Sequence, residues 1–338
     1  MTILFAGGED TSFTIYGGVQ WGTGPGSGGN RPAFSRLAAE IQQSTAVDPP
    51  TMRIQTPAFT PSAAIWIHGW VFNGDAAGNN FTVNQQVALA RSPDGVSRVL
   101  LRATTTRNLL KLSTRNAAGT ITDVATATTI IPINVLAQID WLINFSTGST
   151  LYVNGAAALT YAGDLRTDAA TALNQIDISG MNYNFWGDYW SEIIVADTDT
   201  RSMGLWTLPP AAAGNAQSWT PNTLGNINKT AINDSTFIST TANTALTEWT
   251  TLTAPPSGTW TVQAIVQNAR VQVSTTGPQH FDFVARTAAT DFLAGAPQAP
   301  SLAFSNFQHI WPVNPNTGLP WQITDIAAGF NLGIESQA

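Results

Sequence analysis

Acid–base or nucleophilic chemistry in this chain would have to come from three histidines, twenty-one Asp and Glu side chains and the hydroxyls, because cysteine is absent. His68, His280 and His309 are isolated from one another in sequence. His68 sits within an apolar, strand-like run and reads as a packed or interface histidine rather than a catalytic base. Retaining glycoside hydrolysis needs two carboxyl groups about 5 Å apart on one face. Glu192 and Asp197 are an odd number of residues apart, so a regular strand would point them to opposite faces. Asp197 and Asp199 share a face but read as a solvated turn at a strand's end. No nucleophile elbow and no H-E-x-x-H motif occurs. No catalytic residue and no cofactor is therefore expected, and the chain reads as a non-enzyme.

The other chemistry that composition offers is contact by aromatic rings. Only 10% of residues are charged, yet there are 12 Trp. The segment MNYNFWGDYW (181–190) combines ring faces with Asn and Asp hydrogen-bonding groups, which suits sugar stacking. The same composition suits a protein interface, where Trp and Tyr are enriched and charge is depleted. Trp186, Tyr189 and Trp190 are the candidates here, with Trp311 and Trp321 in two Pro-rich, aromatic loops nearer the C-terminus. The competing reading makes Phe185 and Trp190 core residues and packs Trp186 at a domain junction. A net charge of −7 without Lys/Arg clusters excludes a nucleic-acid or anionic-membrane partner.

These residues have to be positioned by strands. At 338 residues the chain is long enough for two domains. In Ala137 to Gly163, Ile139, Trp141, Ile143 and Phe145 occupy every second position, the alternation of a half-buried antiparallel strand. Ser146 to Ser149 reads as a turn, Leu151 and Val153 share a face, and Asn154-Gly155 suits a tight reversal. Similar short runs are expected at 3–5, 13–16, 52–55, 64–72, 86–91, 99–104, 109–114, 121–125 and 189–196. In the last, regular alternation places Tyr189, Ile193 and Val195 on one face and Trp190, Ile194 and Ala196 on the other. Both faces are apolar, which implies a cover from the second domain or a neighbouring subunit. Arg31 to Gln42 carries the one helix-spaced stripe, with a strand as the alternative, and Gly22 to Gly29 reads as a surface loop.

The Pro/Ala/Gly/Asn-rich stretch 207–222 reads as a linker between a first domain, 1–206, and a second, 223–338. The second domain is expected to be a smaller, helix-free sandwich with strands at 236–240, 245–253, 259–267, 270–274, 280–286 and 330–335. The N-terminus lacks a positively charged region and no run of about 18 apolar residues occurs, so neither a signal peptide nor a spanning helix is expected. Synthesis in the cytosol follows as the expectation.

The strand–turn–LYVNG pattern ending at Leu151 to Gly155 resembles the late hairpin of concanavalin-A-like and laminin-G-like jelly rolls. Glu192 to Asp197 is similar to the closing strand of that fold and Leu4 to Phe13 to its opening one. The resemblance implies an all-β chain with an N-terminal concanavalin-A/laminin-G-like jelly-roll sandwich followed by a smaller C-terminal β-sandwich. Laminin-G-like domains often hold Ca²⁺ through Asp side chains, which makes Asp75, Asp94, Asp197 and Asp199 the candidate ligands. None forms an EF-hand pattern, and turn Asp residues usually cap local backbone. A second resemblance joins SEIIVADTDTRSMGLWTLPPAAAGNAQSWTP (191–221), the TGPQ turn at Gly277 and NPNTGLPWQITDI (314–326) to virion structural proteins of tailed bacteriophages. It implies a virion component made in the host bacterial cytoplasm. Its partners would be copies of itself, as in a trimer, and other virion proteins of the head decoration, spike, tail or collar. The alternative is a lectin-like module that recognises host surface glycans.

Overall fold

The computed structural model describes residues 1–22, 37–42, 46–47, 49–74, 80–183, 188–228, 231–251, 259–327 and 330–338. The chain divides into two compact units, Met1–Trp206 and Thr207–Ala338. Unit 1 is a jelly-roll sandwich of two antiparallel sheets. The order of the first is Ala156–Tyr161, Gly148–Val153, Leu136–Asn144, Ala64–Asn73, Asp188–Ala196, Ala38–Ile41 and Gln20–Gly22, with Ile3–Gly7 also paired to Asp188–Ala196. The second runs Ile121–Thr126, Leu110–Arg115, Ser97–Ala103, Gln86–Arg91, Gln175–Ser179, Arg53–Gln55 and Thr14–Tyr16.

Alternation explains which residues meet between the sheets. Ile65, Ile67 and Val71 join Ile139, Trp141 and Ile143 on one side, and Val99, Leu101, Leu110, Leu112, Ile176 and Ile178 face them from the other. Each fully buried large apolar side chain contributes about 1.5–3 kcal/mol. Trp141 lies at the centre without an unmet donor, because its indole N–H donates to Ser149 Oγ at 2.8 Å, which donates on to the Leu142 carbonyl. The reversal at Asn154-Gly155 has φ of 50° and 79°, the pair of left-handed residues that a two-residue hairpin turn requires.

The register shift in Asp188–Ala196 changes which residues face the core. Between Ser191, opposite Trp70, and Ile194, opposite His68, the strand Asp188–Ala196 carries one residue more than its partner. Glu192 takes up the excess with φ of 55°. The bulge reverses the facing of everything beyond it. Trp190, Ile193 and Val195 therefore enter the core, while Tyr189, Ser191 and Ile194 lie on the outer face, correcting the assignment of Tyr189 with Ile193 and Val195.

Unit 2 packs a five-stranded sheet, ordered Pro210–Gln217, Leu246–Thr251, Asn331–Gln337, His280–Thr287 and Thr290–Leu293, against the pair Ile265–Val271 and Ser305–Trp311. Phe281, Phe283 and Ala285 from the first meet Val271 and Trp311 from the second, with Trp321 and Phe330. Gln267 ties the layers together: its amide donates to the Gly333 carbonyl at 2.7 Å while its oxygen accepts from the Trp311 indole at 3.2 Å.

Several local expectations are corrected. Ala38–Ile41 is a strand, since its apolar residues pair in the sheet on both sides; positions 31–36 lie outside the described residues, as does the Gly-rich loop beyond Gly22. The stretch 207–222 is not simply a linker, because Pro210–Gln217 is an edge strand against Leu246–Thr251. Thr236 to Thr240 contributes only an isolated bridge, Ser239 to Thr220. The 259–267 strand begins at Ile265 and continues through Val271. Unit 2 is not free of helix: Ile323–Ala327 is a short α-helix and Leu224–Asn226 a 3-10 turn.

Candidate functional site

Residues displaced from the core by alternation gather on the outer face of the Leu136–Asn144 sheet. Trp66, His68, Trp70 and Phe72 project from Ala64–Asn73, next to Gln138, Asp140, Leu142 and Asn144, and Thr150 and Tyr152 project from Gly148–Val153. Trp66, Trp70, Phe72 and Tyr152 are half-buried. The Trp66 and Tyr152 rings lie 5.7 Å apart at an interplanar angle of 16°, leaning together across the intervening strand. The Arg201 guanidinium sits 4.5 Å from the Tyr152 centroid and 5.6 Å from that of Trp66.

Beside the rings is a polar network that the sequence reading did not assemble. Asp140, fully buried, accepts from His68 Nδ1 at 2.8 Å and from Thr200 Oγ1 at 2.8 Å through one oxygen. Its other oxygen accepts from the Gln138 amide at 2.8 Å. Nδ1 is committed to that bond, which leaves Nε2 as the ring's other hydrogen-bonding atom. That atom is buried with no protein partner, and Trp70 stands edge-on to the ring at 6.4 Å. Histidine and aspartate here supply two parts of a nucleophile-activating arrangement, but no hydroxyl hydrogen-bonds Nε2 among the described residues. The sequence signal was the aromatic residues at every second position, Trp66, His68, Trp70 and Phe72. Asp140 could be joined to it only once the register set it opposite His68.

The residues singled out from sequence lie elsewhere or are covered. Tyr189 is on the outer face but only 1% exposed; burial first and the Glu40 carboxylate next push its phenol up. Trp190 is in the core of unit 1, and Trp311 and Trp321 are in that of unit 2, so their segments are not exposed aromatic loops. The Trp321 indole N–H is spent on the Trp311 carbonyl at 2.8 Å. Trp186 and Asp75 lie outside the described residues. Asp94 is engaged by Ser92, the Val96 amide and Arg98, with the Ser92 bond leading the fall of its pKa. Asp197 accepts from the Thr2 amide at 2.7 Å, and Asp199 forms a fork with Arg201, which holds its carboxyl low. Each is satisfied locally, and the described residues contain no group of three or more His, Asp or Glu placed to hold a metal ion.

Unit 2 offers two further features. Glu248, fully buried, accepts from the Ala216 amide at 3.0 Å, and its carboxyl is pushed up to about 7 by burial first and the Asp291 carboxyl next. Phe237, Trp260, Leu302 and Leu319 are exposed, with Phe237 against Phe304 at 5.7 Å.

No protein-family model and no curated protein matches the chain. Similar solved structures include the T. cruzi calreticulin globular domain, with TM-score 0.40, 11% identity, and 59% of this chain and 89% of that one covered. Cellulose induced protein Cip1 has TM-score 0.42 and 10% identity, covering 57% of this chain and 94% of that one. Domain 4 of AbnA, an extracellular arabinanase from Geobacillus stearothermophilus solved with arabinotriose, has TM-score 0.34 and 12% identity, covering 60% of this chain and 82% of that one. At these TM-scores the likenesses add no functional argument, and the sandwich stands on the sheet topology of the chain itself.

Proposed function

We propose that unit 1 is a non-enzymatic saccharide-binding module whose contact surface is the outer face of the Leu136–Asn144 sheet. The observation that carries this reading is the near-parallel Trp66–Tyr152 pair, continued along the same strand by Trp70 and Phe72. Sugar rings present apolar C–H faces that stack on such side chains, and hydroxyls that need polar groups at the rim. Gln138, Asn144 and Thr150 supply those groups from the neighbouring strands. A glycan array followed by calorimetric titration tests the reading. Trp66→Ala and Tyr152→Ala should each weaken binding about tenfold, the equivalent of about 1.4 kcal/mol, while Trp260→Ala in unit 2 leaves it unchanged. A blank array, or wild-type affinity in both unit 1 variants, refutes it.

A second reading, assembly within a bacteriophage particle, is favoured by one observation: unit 2 exposes Phe237, Trp260, Leu302 and Leu319. Exposed apolar residues of this kind mark contact surfaces when they lie together. On this reading they meet further copies of the chain, as in a trimer, or other virion proteins, and the protein resides in the virion. No comparison supports that role. Sedimentation that stays monomeric at high concentration, with absence of the chain from purified particles by mass spectrometry, would remove it.

A further inference from the structure

The proposed saccharide surface carries a covering arm from its own chain. Residues 197–209, after the last strand of unit 1, have no sheet pairing. The arm is fixed to the outer face at three points. Thr200 Oγ1 donates to Asp140 at 2.8 Å, the Gln138 amide donates to the Arg201 carbonyl at 2.8 Å, and the Leu205 amide donates to Glu192 Oε2 at 3.0 Å. Each anchor involves a side chain and none belongs to the sheet's hydrogen-bond ladder, so releasing the arm leaves every strand pairing in place.

The sheet's own irregularities serve these anchors. Glu192 reaches Leu205 from the bulge, where a residue with a side chain holds the left-handed φ of 55°. Such conformations persist only where the surroundings impose them, and they cluster at clamps and switches. Asp140 is fixed by His68 at the oxygen that accepts from Thr200 and by the Gln138 amide at the other, which gives the arm a rigid docking point. The arm is also internally braced. Arg201 Nε donates to both Asp199 oxygens at 3.0 Å, and the Met203 amide donates to the Thr200 carbonyl at 2.8 Å. Its guanidinium, 39% exposed on the side chain, lies against the Tyr152 and Trp66 rings that a sugar would use.

We propose that residues 199–205 are a latch that closes the Trp66–Tyr152 pair, with Arg201 as the group a neutral saccharide must displace; this rests on the saccharide reading of that face. Opening exchanges the cation–ring contact for a C–H stack, and the three anchors set how often it occurs. Affinity for neutral sugars is therefore held below what the rings alone would give.

Hydroxyl-radical footprinting and amide hydrogen exchange on the full chain, with a printed array of neutral and acidic glycans, test the latch. In the wild-type protein the 198–206 amides should exchange at least about 100-fold faster than those of Leu136–Asn144. Arg201→Ser and Thr200→Val should raise radical modification of Trp66 and Tyr152 several-fold, leave the core residue Trp141 unchanged, and strengthen binding to neutral glycans. Unchanged modification in both variants, or exchange of the arm as slow as the strand's, overturns the latch. Weaker glycan binding by Arg201→Ser also overturns it, because the guanidinium is then a ligand contact. Raised modification with a blank array for wild type and variants alike leaves the latch standing and removes the saccharide reading.

Discussion

Replacing Asp140 by Ala would strip one buried carboxylate from three donors at once, and the cost can be worked from their surroundings. The His68 ring is fully buried and its Nε2 already lacks a protein partner, so losing the Nδ1 bond leaves it with none. Thr200 is equally buried and loses its only side-chain acceptor. Each abandoned buried donor costs about 1–3 kcal/mol. Gln138 is half-buried and can turn to water, so its bond at 2.8 Å adds little. The sum predicts a loss of about 2–6 kcal/mol, a range that includes the cost of removing one partner from a buried pair. Asp140→Asn, which keeps an acceptor oxygen, should cost less than half as much. The double variant His68→Leu/Asp140→Leu should cost less than Asp140→Ala, because removing His68 as well leaves the Thr200 hydroxyl, and not the imidazole, without its acceptor. Urea unfolding read by hydrogen-exchange pulse labelling of Leu136–Asn144 reports on unit 1 without contributions from unit 2. A loss below about 1 kcal/mol for Asp140→Ala, or a double variant worse than the single, would refute the account of this network as one satisfied unit.

Other expectations follow from the same structure. Gly148 has φ of 128° and an added Cβ would lie 1.9 Å from the Tyr161 carbonyl oxygen, so Gly148→Ala should cost at least about 3 kcal/mol, seen as a lowered urea midpoint for unit 1. The Glu248 carboxyl titrates at about 7 when folded against an ordinary 4.5, so the folded state binds the proton more tightly. Its contribution to stability is fully present below pH 4.5 and is lost as pH rises to about 7. Urea midpoints of unit 2 measured across that window should fall with pH, and Glu248→Gln should flatten the decline; a parallel slope in the variant would assign the dependence to other groups. If unit 2 is an assembly surface, Phe237→Ser with Leu302→Ser should reduce self-association in sedimentation without altering the circular dichroism.

The sandwich was legible because period-two patterning needs no knowledge of partners. In Ala64–Asn73 and Leu136–Asn144 the core residues are those at alternate positions, and a strand has only two faces to offer. Asn154-Gly155 was equally legible, since few dipeptides accept two positive φ values. The Asp188–Ala196 strand shows where this method stops: one extra residue at Glu192 reverses the facing of Ile193 through Ala196. A bulge leaves no composition signal when both faces are apolar. Burial of Tyr189, Trp190, Trp311 and Trp321 was hidden for a related reason. Trp311 ends the paired strand Ser305–Trp311 and Trp321 follows in a Pro-rich segment, and both rings fill the core of unit 2.

Local pattern was enough to show that the chain is all-β, where most strands of unit 1 run, and that it has no cysteine and no catalytic sequence motif. Those properties depend on neighbours within a few positions, through alternation and turn chemistry. Packing of the sheets was needed to settle which aromatic residues present a face, that His68 meets Asp140 across a strand pair, and that Thr200 and Arg201 return to that strand pair. Those contacts join residues 60 to 72 positions apart or cross a bulge, and their register is set by the packing of the whole sheet rather than by any local pattern.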